Sequence, residues 1–417
     1  MSLDPERIPS ANSPYVYAYI DGRPLIARGD RPQRLTGFNY IRNNDISGNW
    51  LILSVFDNEW PTVESMLVAT TDKKLRFQYG YSNGVMSEEK EALINNYTKE
   101  FKTNGFEHQI EAVSMGASSE DREKSRVFPE CADKDYMDIH EIVKFIADEN
   151  GWECDYDETA KVENNDDLEK TEIRTARWPQ LKKRDMQFIV EDLLPKARRK
   201  SDGNSDYKFW FEDGIPPKIH FHPPRFEQKA KDTYTFMFGD KLSEVVSWRP
   251  ELTGTVNLRL GAGVAGCPYI DYQTGEFNDV IIHNNNTQEK TVLGGPLTLG
   301  SKVLSEEWYN FSELKPVRDA SQAELAARHR YFMMYNSIQK STITVVGDPQ
   351  IKTHVVIRVN VVLPDGKLDY SSGLWYVLNA IDEIHNGVYT TKMELIRNGL
   401  QNMIGATGQE ARGTINE

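Results

Sequence analysis

The sequence is poor in the residues that usually announce a reaction or a membrane. Three cysteines in 417 residues, Cys131, Cys154 and Cys267, are an odd and sparse set. That excludes a disulfide framework and fits folding in a reducing compartment. Long apolar runs are missing too. The longest, residues 50–56, is too short to span a bilayer, and the opening MSLDPERIPS holds no apolar signal segment. The expectation is a soluble chain, or one built into a soluble assembly, with no membrane insertion. Positive charge is in deficit: 49 Lys and Arg stand against 63 Asp and Glu, a formal net charge of −14. Such a balance argues against a protein that grips nucleic acid phosphates and suits one that repels DNA.

What the chain does have is short strands closed by turn residues. Four are predicted over 342–397. TITVV ends at Gly347-Asp348-Pro349, because proline lacks the N–H that a strand interior needs. In HVVIRVNVVL, Val355, Ile357, Val359 and Val361 fall on one face, the period-two pattern of a half-buried strand. After the Pro364-Asp365-Gly366 turn a third strand starts at Gly373 and runs to about Ile384. Asn386-Gly387, a strong hairpin signal, leads into VYTTKMELIR, with Tyr389, Thr391, Met393 and Leu395 on one side.

This order resembles the C-terminal barrel of phage baseplate hub proteins, the late-control-D family, whose fold is shared by the core of type VI secretion spike proteins. The residues that carry the resemblance are Gly347-Asp348-Pro349, the β-branched strand, Gly373, Trp375 and Val377, then Gly387 and Tyr389-Thr390-Thr391 before Arg397. Thr353 departs from a usual Gly and Asp382 from a frequent His. The resemblance implies a non-enzymatic structural protein with no catalytic, cofactor-binding or metal site. In it, three copies form a ring, two barrels per chain supply six similar units, and the ring adapts a six-fold tail tube above to a three-fold central spike below. It implies contacts with the tube protein, the spike and other baseplate proteins, and DNA passing through the lumen without specific binding. The location implied is the tail baseplate of the virion, after synthesis in the host cytoplasm.

Domain organisation follows from the rest of the chain. The fold class expected is mainly β with α+β inserts: two similar antiparallel β-barrels, a small α+β insert domain and a loop-rich insertion. Short apolar runs alternate with turn clusters over 1–117, the first barrel. Its last strand, from Gly105 through Val113, echoes the one after Gly387. Residues 116–135 read as a polar linker. The insert domain spans 118–224, with a helix from Asp138, whose capping box pairs it with Glu141, to a C-terminal cap at Gly151. A second helix over 185–199 should kink or end at Pro195, and YKFWFED with PKIHFHP forms a hairpin. The acidic run 155–169 reads as a solvated loop. The second barrel takes 225–262, with a strand over 253–260, and 341–400. The insertion 263–340 includes a helix over 321–338, and 401–417 is a flexible tail.

Few residues suggest chemistry. Gly261-Ala262-Gly263-Val264-Ala265-Gly266 spells G-x-G-x-x-G after a predicted strand, but no helix opens there and no acidic residue follows at the ribose-binding distance. His220 and His222 share one side of a strand, with Ile219 and Phe221 inward; a metal would need a third ligand from elsewhere, and the outer face of a hairpin is the favoured reading. His385 reads as a turn residue and Cys154 as a packed hydrophobe. Lys182-Lys183-Arg184 and Arg198-Arg199-Lys200 read as solvated or dipole-complementing charge. The alternative function is a cell-wall or carbohydrate-binding module, with Trp210 and Phe211 as its platform.

Overall fold

The structure is a computed structural model. It describes residues 13–26, 35–43, 48–57, 62–69, 74–81, 84–114, 123–129, 137–161, 178–201, 203, 205–226, 228–237, 243–251, 263–270, 277–283, 305–308, 329, 339–369 and 371–397. An N-terminal unit holds β1 (Pro14–Ile20), β2 (Arg23–Ile26), β3 (Leu35–Arg42), β4 (Trp50–Asp57), α1 (Thr62–Ala69), β5 (Lys74–Tyr81), β6 (Lys90–Lys102) and β7 (Gly105–Ser114). Alternation makes these strands: in β4, Leu51, Leu53, Val55 and Asp57 are buried and the residues between them are not.

A C-terminal unit holds β13 (Asp232–Met237), β14 (Val245–Glu251), β18 (Gln339–Val346), β19 (Val356–Val362), β20 (Gly373–His385) and β21 (Val388–Arg397). The expected strands of 342–397 are all present. Tyr389, Thr391, Met393 and Leu395 are buried along one face of β21. Asn386 and Gly387 take positive φ angles of 50° and 75°, the backbone of a tight hairpin turn.

The strand order of one unit repeats in the other. The N-terminal ladder runs β3-β4-β7-β6-β5-β1 and the C-terminal ladder β14-β18-β21-β20-β19-β13, so the strands correspond one to one in chain order. In each, a 13-residue strand and a 10-residue strand form the central hairpin. A bulge interrupts β3 on β4 and likewise β14 on β18. The outermost strands of each ladder also meet, β1 with β3 and β13 with β14. They differ in the direction of one strand: β1 pairs antiparallel with β5, whereas β13 pairs parallel with β19.

β20 fuses the two units. Its first residues pair with β19, and its last, from Ala380 opposite Arg42 to His385 opposite Gly37, pair with β3. One 13-stranded sheet results. Phe38, Tyr40, Phe77 and Tyr79 fill the N-terminal core, to which Ile384 and Tyr389 are added; Ile343, Ile357, Val359, Trp375 and Val377 fill the other.

Between the units lies the insert, with β8 (Lys124–Phe128), α2 (Ile139–Asn150), β9 (Glu153–Tyr156), β10 (Trp178–Lys183), α3 (Asp185–Phe188), β11 (Lys208–Glu212) and β12 (Lys218–His222). The Glu141 carboxylate accepts the Asp138 backbone N–H at 2.8 Å, and Gly151 closes α2 at φ 72°. α3 continues as a π turn (Ile189–Leu193) and a 3-10 turn (Leu194–Lys196). It stops short of the expected 199, since Pro195 cannot donate to a longer ladder.

Three expectations are corrected. The polar linker contains β8, whose Arg126 faces Asp185 and Glu149, so its charges are structural. Asp155 belongs to β9 and not to a solvated loop. The loop-rich insertion holds a three-stranded sheet of β15 (Gly263–Ile270), β16 (Phe277–His283) and β17 (Ser305–Trp308). The 253–260 strand, the 401–417 tail and, apart from His329, the 321–338 helix lie outside the described residues. Among the described residues no helix is long and apolar enough to cross a membrane.

Candidate functional site: a cleft where the three units meet

Two buried carboxylates hold the units together. Asp382, in the part of β20 that crosses to β3, is fully buried. It accepts hydrogen bonds from Arg42 Nη2 (2.5 Å), Tyr79 Oη (2.9 Å), Tyr389 Oη (2.9 Å) and Thr391 Oγ1 (2.7 Å). Arg42 also donates to the Ile351 carbonyl. Burial alone would lower the Arg42 pKa, but Asp382 together with Tyr79, Tyr40 and Tyr389 outweighs it and holds the guanidinium above its ordinary value.

Asp213 does the same for the insert. The β11–β12 turn carries it into the N-terminal unit, where Ser114, Tyr40 Oη (2.8 Å) and Asn49 Nδ2 (3.0 Å) donate to its carboxylate. Burial raises the Asp213 pKa, and these donors and Lys90 only partly oppose it.

A cleft of about 330 Å³ opens between these anchors, reached by residues of all three units. Strand alternation builds its insert wall. Phe209, Phe211, Ile219 and Phe221 point into the insert core, so Trp210, Glu212, His220 and His222 take the other face. Across the sheet, Trp210 stands opposite His220 on β12, and His220 opposite Asp155 on β9. His220 Nδ1 is 3.2 Å from Asp155 Oδ2 and its Nε2 3.0 Å from Glu212 Oε2. His222 Nδ1 donates to the Pro223 carbonyl at 2.8 Å, leaving Nε2 3.9 Å from Asp155 Oδ2. From the C-terminal unit, His354 stacks on Trp210 with ring centres 3.8 Å apart, and Lys352 Nζ reaches Glu212 Oε1 at 2.6 Å.

The charges follow this geometry. Burial lowers the His222 pKa. Burial would raise Asp155, but His220, His222, Arg225 and Lys218 hold it below the usual carboxylate value. For Glu212, burial is likewise outweighed by His220 and Lys352. Lys208, buried beside this face, is brought down to about 8 by desolvation.

His220 and His222 do share one side, with Ile219 and Phe221 inward, but that side is covered by His354 and Lys352 and both imidazoles are buried. The residue that the sequence spacing could not supply beside them is Asp155, which brings a carboxylate oxygen within 4.8 Å of both imidazoles. Trp210 and Phe211 are 5% and 4% exposed, so neither offers a carbohydrate platform. Gly263 and Gly266 lie in β15, a strand, where the helix that a dinucleotide motif needs is absent. Burial pushes the Cys154 thiol up to about 12, as a packed hydrophobe requires. Lys183 pairs with Glu191 and Asp192, Arg199 with Asp206 and Lys200 with Glu158, so the basic runs serve local ion pairs. His385 ends β20 at the turn.

Mainly β, with an α+β insert docked at the joint of two fused units, the chain has a fold seen in tail proteins. The tail protein of Neisseria meningitidis MC58 matches it with a TM-score of 0.55 at 8% identity, over 94% of this chain and 98% of that one. The 43 kDa tail protein of prophage MuSo2 from Shewanella oneidensis matches at 0.54 and 8%, over 93% and 99%. An E. coli component of the type VI secretion system, described as structurally similar to the T4 bacteriophage tail proteins gp27 and gp5, matches at 0.51 and 8%, over 91% and 76%. No family model and no curated protein matches the chain. The likeness is one of fold, and it agrees with the resemblance carried by 342–397.

Proposed function

We propose that the protein is a structural baseplate hub of a phage tail or tail-derived injection machine. Three copies form a ring that adapts the six-fold tube to the three-fold spike. Each six-stranded ladder is one of two similar barrels, so a trimer presents six quasi-equivalent units and three identical chains at once. The excess of carboxylates keeps DNA off the channel wall within about a Debye length, roughly 8 Å at physiological salt.

The observation that carries this reading is the repeat of strand order together with two open edges. Within the chain the units join where the end of β20 pairs with β3. The corresponding strands are β6 and β14. β6 pairs with β5 only from Lys90 to Leu93, and β14 pairs only with β18. Among the described residues, the end of β6 and the outer edge of β14 therefore have no partner strand. Joining them between copies repeats the internal joint, a head-to-tail contact that closes after three chains. Pro250, which has no N–H to donate, is tolerated in β14 as an edge strand of the chain.

Mass photometry at rising concentration, with electron microscopy of the assembled particle, tests it. Trimers and a ring at the tube end are expected. Phe101→Asp at the end of β6 and Val246→Asp on β14, both at exposed residues, should block trimer formation without changing the monomer's melting temperature. A monomer at every concentration and no density at the tube end would overturn the reading.

A further inference from the structure

We infer that Asp155, His220 and His222 form a divalent transition-metal site of the zinc class, open to the cleft. The three side chains offer one ligand atom each, all within 4.8 Å of one another. Zinc held by imidazole nitrogen and carboxylate oxygen at about 2.0 Å puts tetrahedral donors about 3.3 Å apart. Of the separations to Asp155 Oδ2, the 3.2 Å of His220 already matches and the 3.9 Å of His222 needs a contraction of about 0.6 Å.

The atoms behind the ligands carry the argument further. A metal-bound histidine normally donates its other ring N–H to a carboxylate or carbonyl, which fixes tautomer and ring orientation. Both histidines have that partner on the side away from Asp155: Glu212 for His220 Nε2 and the Pro223 carbonyl for His222 Nδ1. Without an ion, His220 lies between two carboxylates and His222 Nε2 has only a distant one. With an ion, both lone pairs and the Asp155 charge are used.

Arg225 and Lys218 approach Asp155 at 3.8 and 4.0 Å, beyond hydrogen-bonding reach, and the short bond of Arg225 goes to Asp157 at 3.0 Å. Among the described residues His220 is thus the one hydrogen-bond partner of the Asp155 carboxylate. Two imidazoles and one carboxylate suit zinc over calcium or magnesium, which prefer all-oxygen shells. The fourth position, facing the cleft, takes water or a ligand from the assembly. The ion would lock β9 to β12 and so stiffen the face on which the C-terminal unit stacks.

The test is calorimetric titration of zinc chloride into the untagged, chelator-treated full chain. One saturable site per chain with micromolar or tighter affinity is expected, with a rise in melting temperature and no response to magnesium. His222→Ala and the near-isosteric Asp155→Asn should each weaken binding at least tenfold, Glu212→Gln about tenfold, and His385→Ala not at all. Cobalt(II) in place of zinc should give the visible absorption of a four-coordinate ion, lost in Asp155→Asn. No saturable zinc binding by the wild-type chain, or binding unaltered in both ligand variants, would overturn the inference. Neither result bears on trimer formation.

Discussion

Asp382 shows how one residue can set the joint between two units. Its four donors come from β3, β5 and β21, so removing the carboxylate strands the buried Arg42 charge and three hydroxyls at once. Asp382→Ala is expected to cost about 3–5 kcal/mol, the range for breaking a buried pair by deleting one partner. The midpoint of chemical denaturation checks this, and a shift of less than 1 kcal/mol in stability would refute it. In sequence, Asp382 was visible only as a departure from a family pattern, because its partners lie up to 340 positions away. Lys208 supplies the opposite case. Its folded pKa near 8 lies below the unfolded value of about 10.4. The unfolded chain therefore binds the proton more tightly, the cost is full below pH 8, and stability rises as pH climbs from 8 towards 10.4. Lys208→Met should then be more stable than the native chain at pH 7 by up to about 3 kcal/mol, with the gain vanishing near pH 10.5. Urea midpoints at the two pH values decide it, and an equal gain at both would show that the lysine's charge is not the cause.

At the scale of elements, local rules explain much. α2 was legible because its cap, its apolar stripe and its terminal Gly all act within a turn or two of backbone. β18 to β21 were legible because alternation and turn residues agree. The Gly347-Asp348-Pro349 turn shows what local rules leave out. Proline ends the strand, but glycine is required by a distant ring: a Cβ at Gly347 would lie 2.1 Å from the Tyr389 ring. Gly347→Ala must push that ring off Asp382 and is expected to destabilise the protein by about 1–3 kcal/mol. Thermal melts check the size, and an unchanged melt would mean that Tyr389 has room to move. The β11–β12 hairpin was also legible, and so was the shared side of His220 and His222. Its outer face was misjudged because period two tells which residues share a face but not what covers it. The cover comes from Lys352 and His354, at least 130 residues later.

Over the whole molecule, the repeated order of strands is the organising fact, and almost none of it stands in the letters. Gly105 and Gly387 gave an echo, yet the correspondence of six strands appears only once their neighbours are known. Side-chain identity can drift while alternation, strand length and hairpin position persist, which is also why tail proteins at 8% identity share the fold over more than 90% of this chain. The sequence by itself determined the class: a mainly β chain with an α+β insert, acidic, poor in cysteine, with four terminal strands spelled like a hub barrel. Those properties are local or additive, so periodicity, turns and composition contain them. Tertiary structure alone decided the rest: the fusion through β20, the burial of Asp213 and Asp382 at the joints, the edges of β6 and β14 that have no partner strand among the described residues, and the meeting of Asp155 with His220 and His222. Each depends on residues far apart in the chain, brought together because the apolar faces of separate strands had to be buried in shared cores.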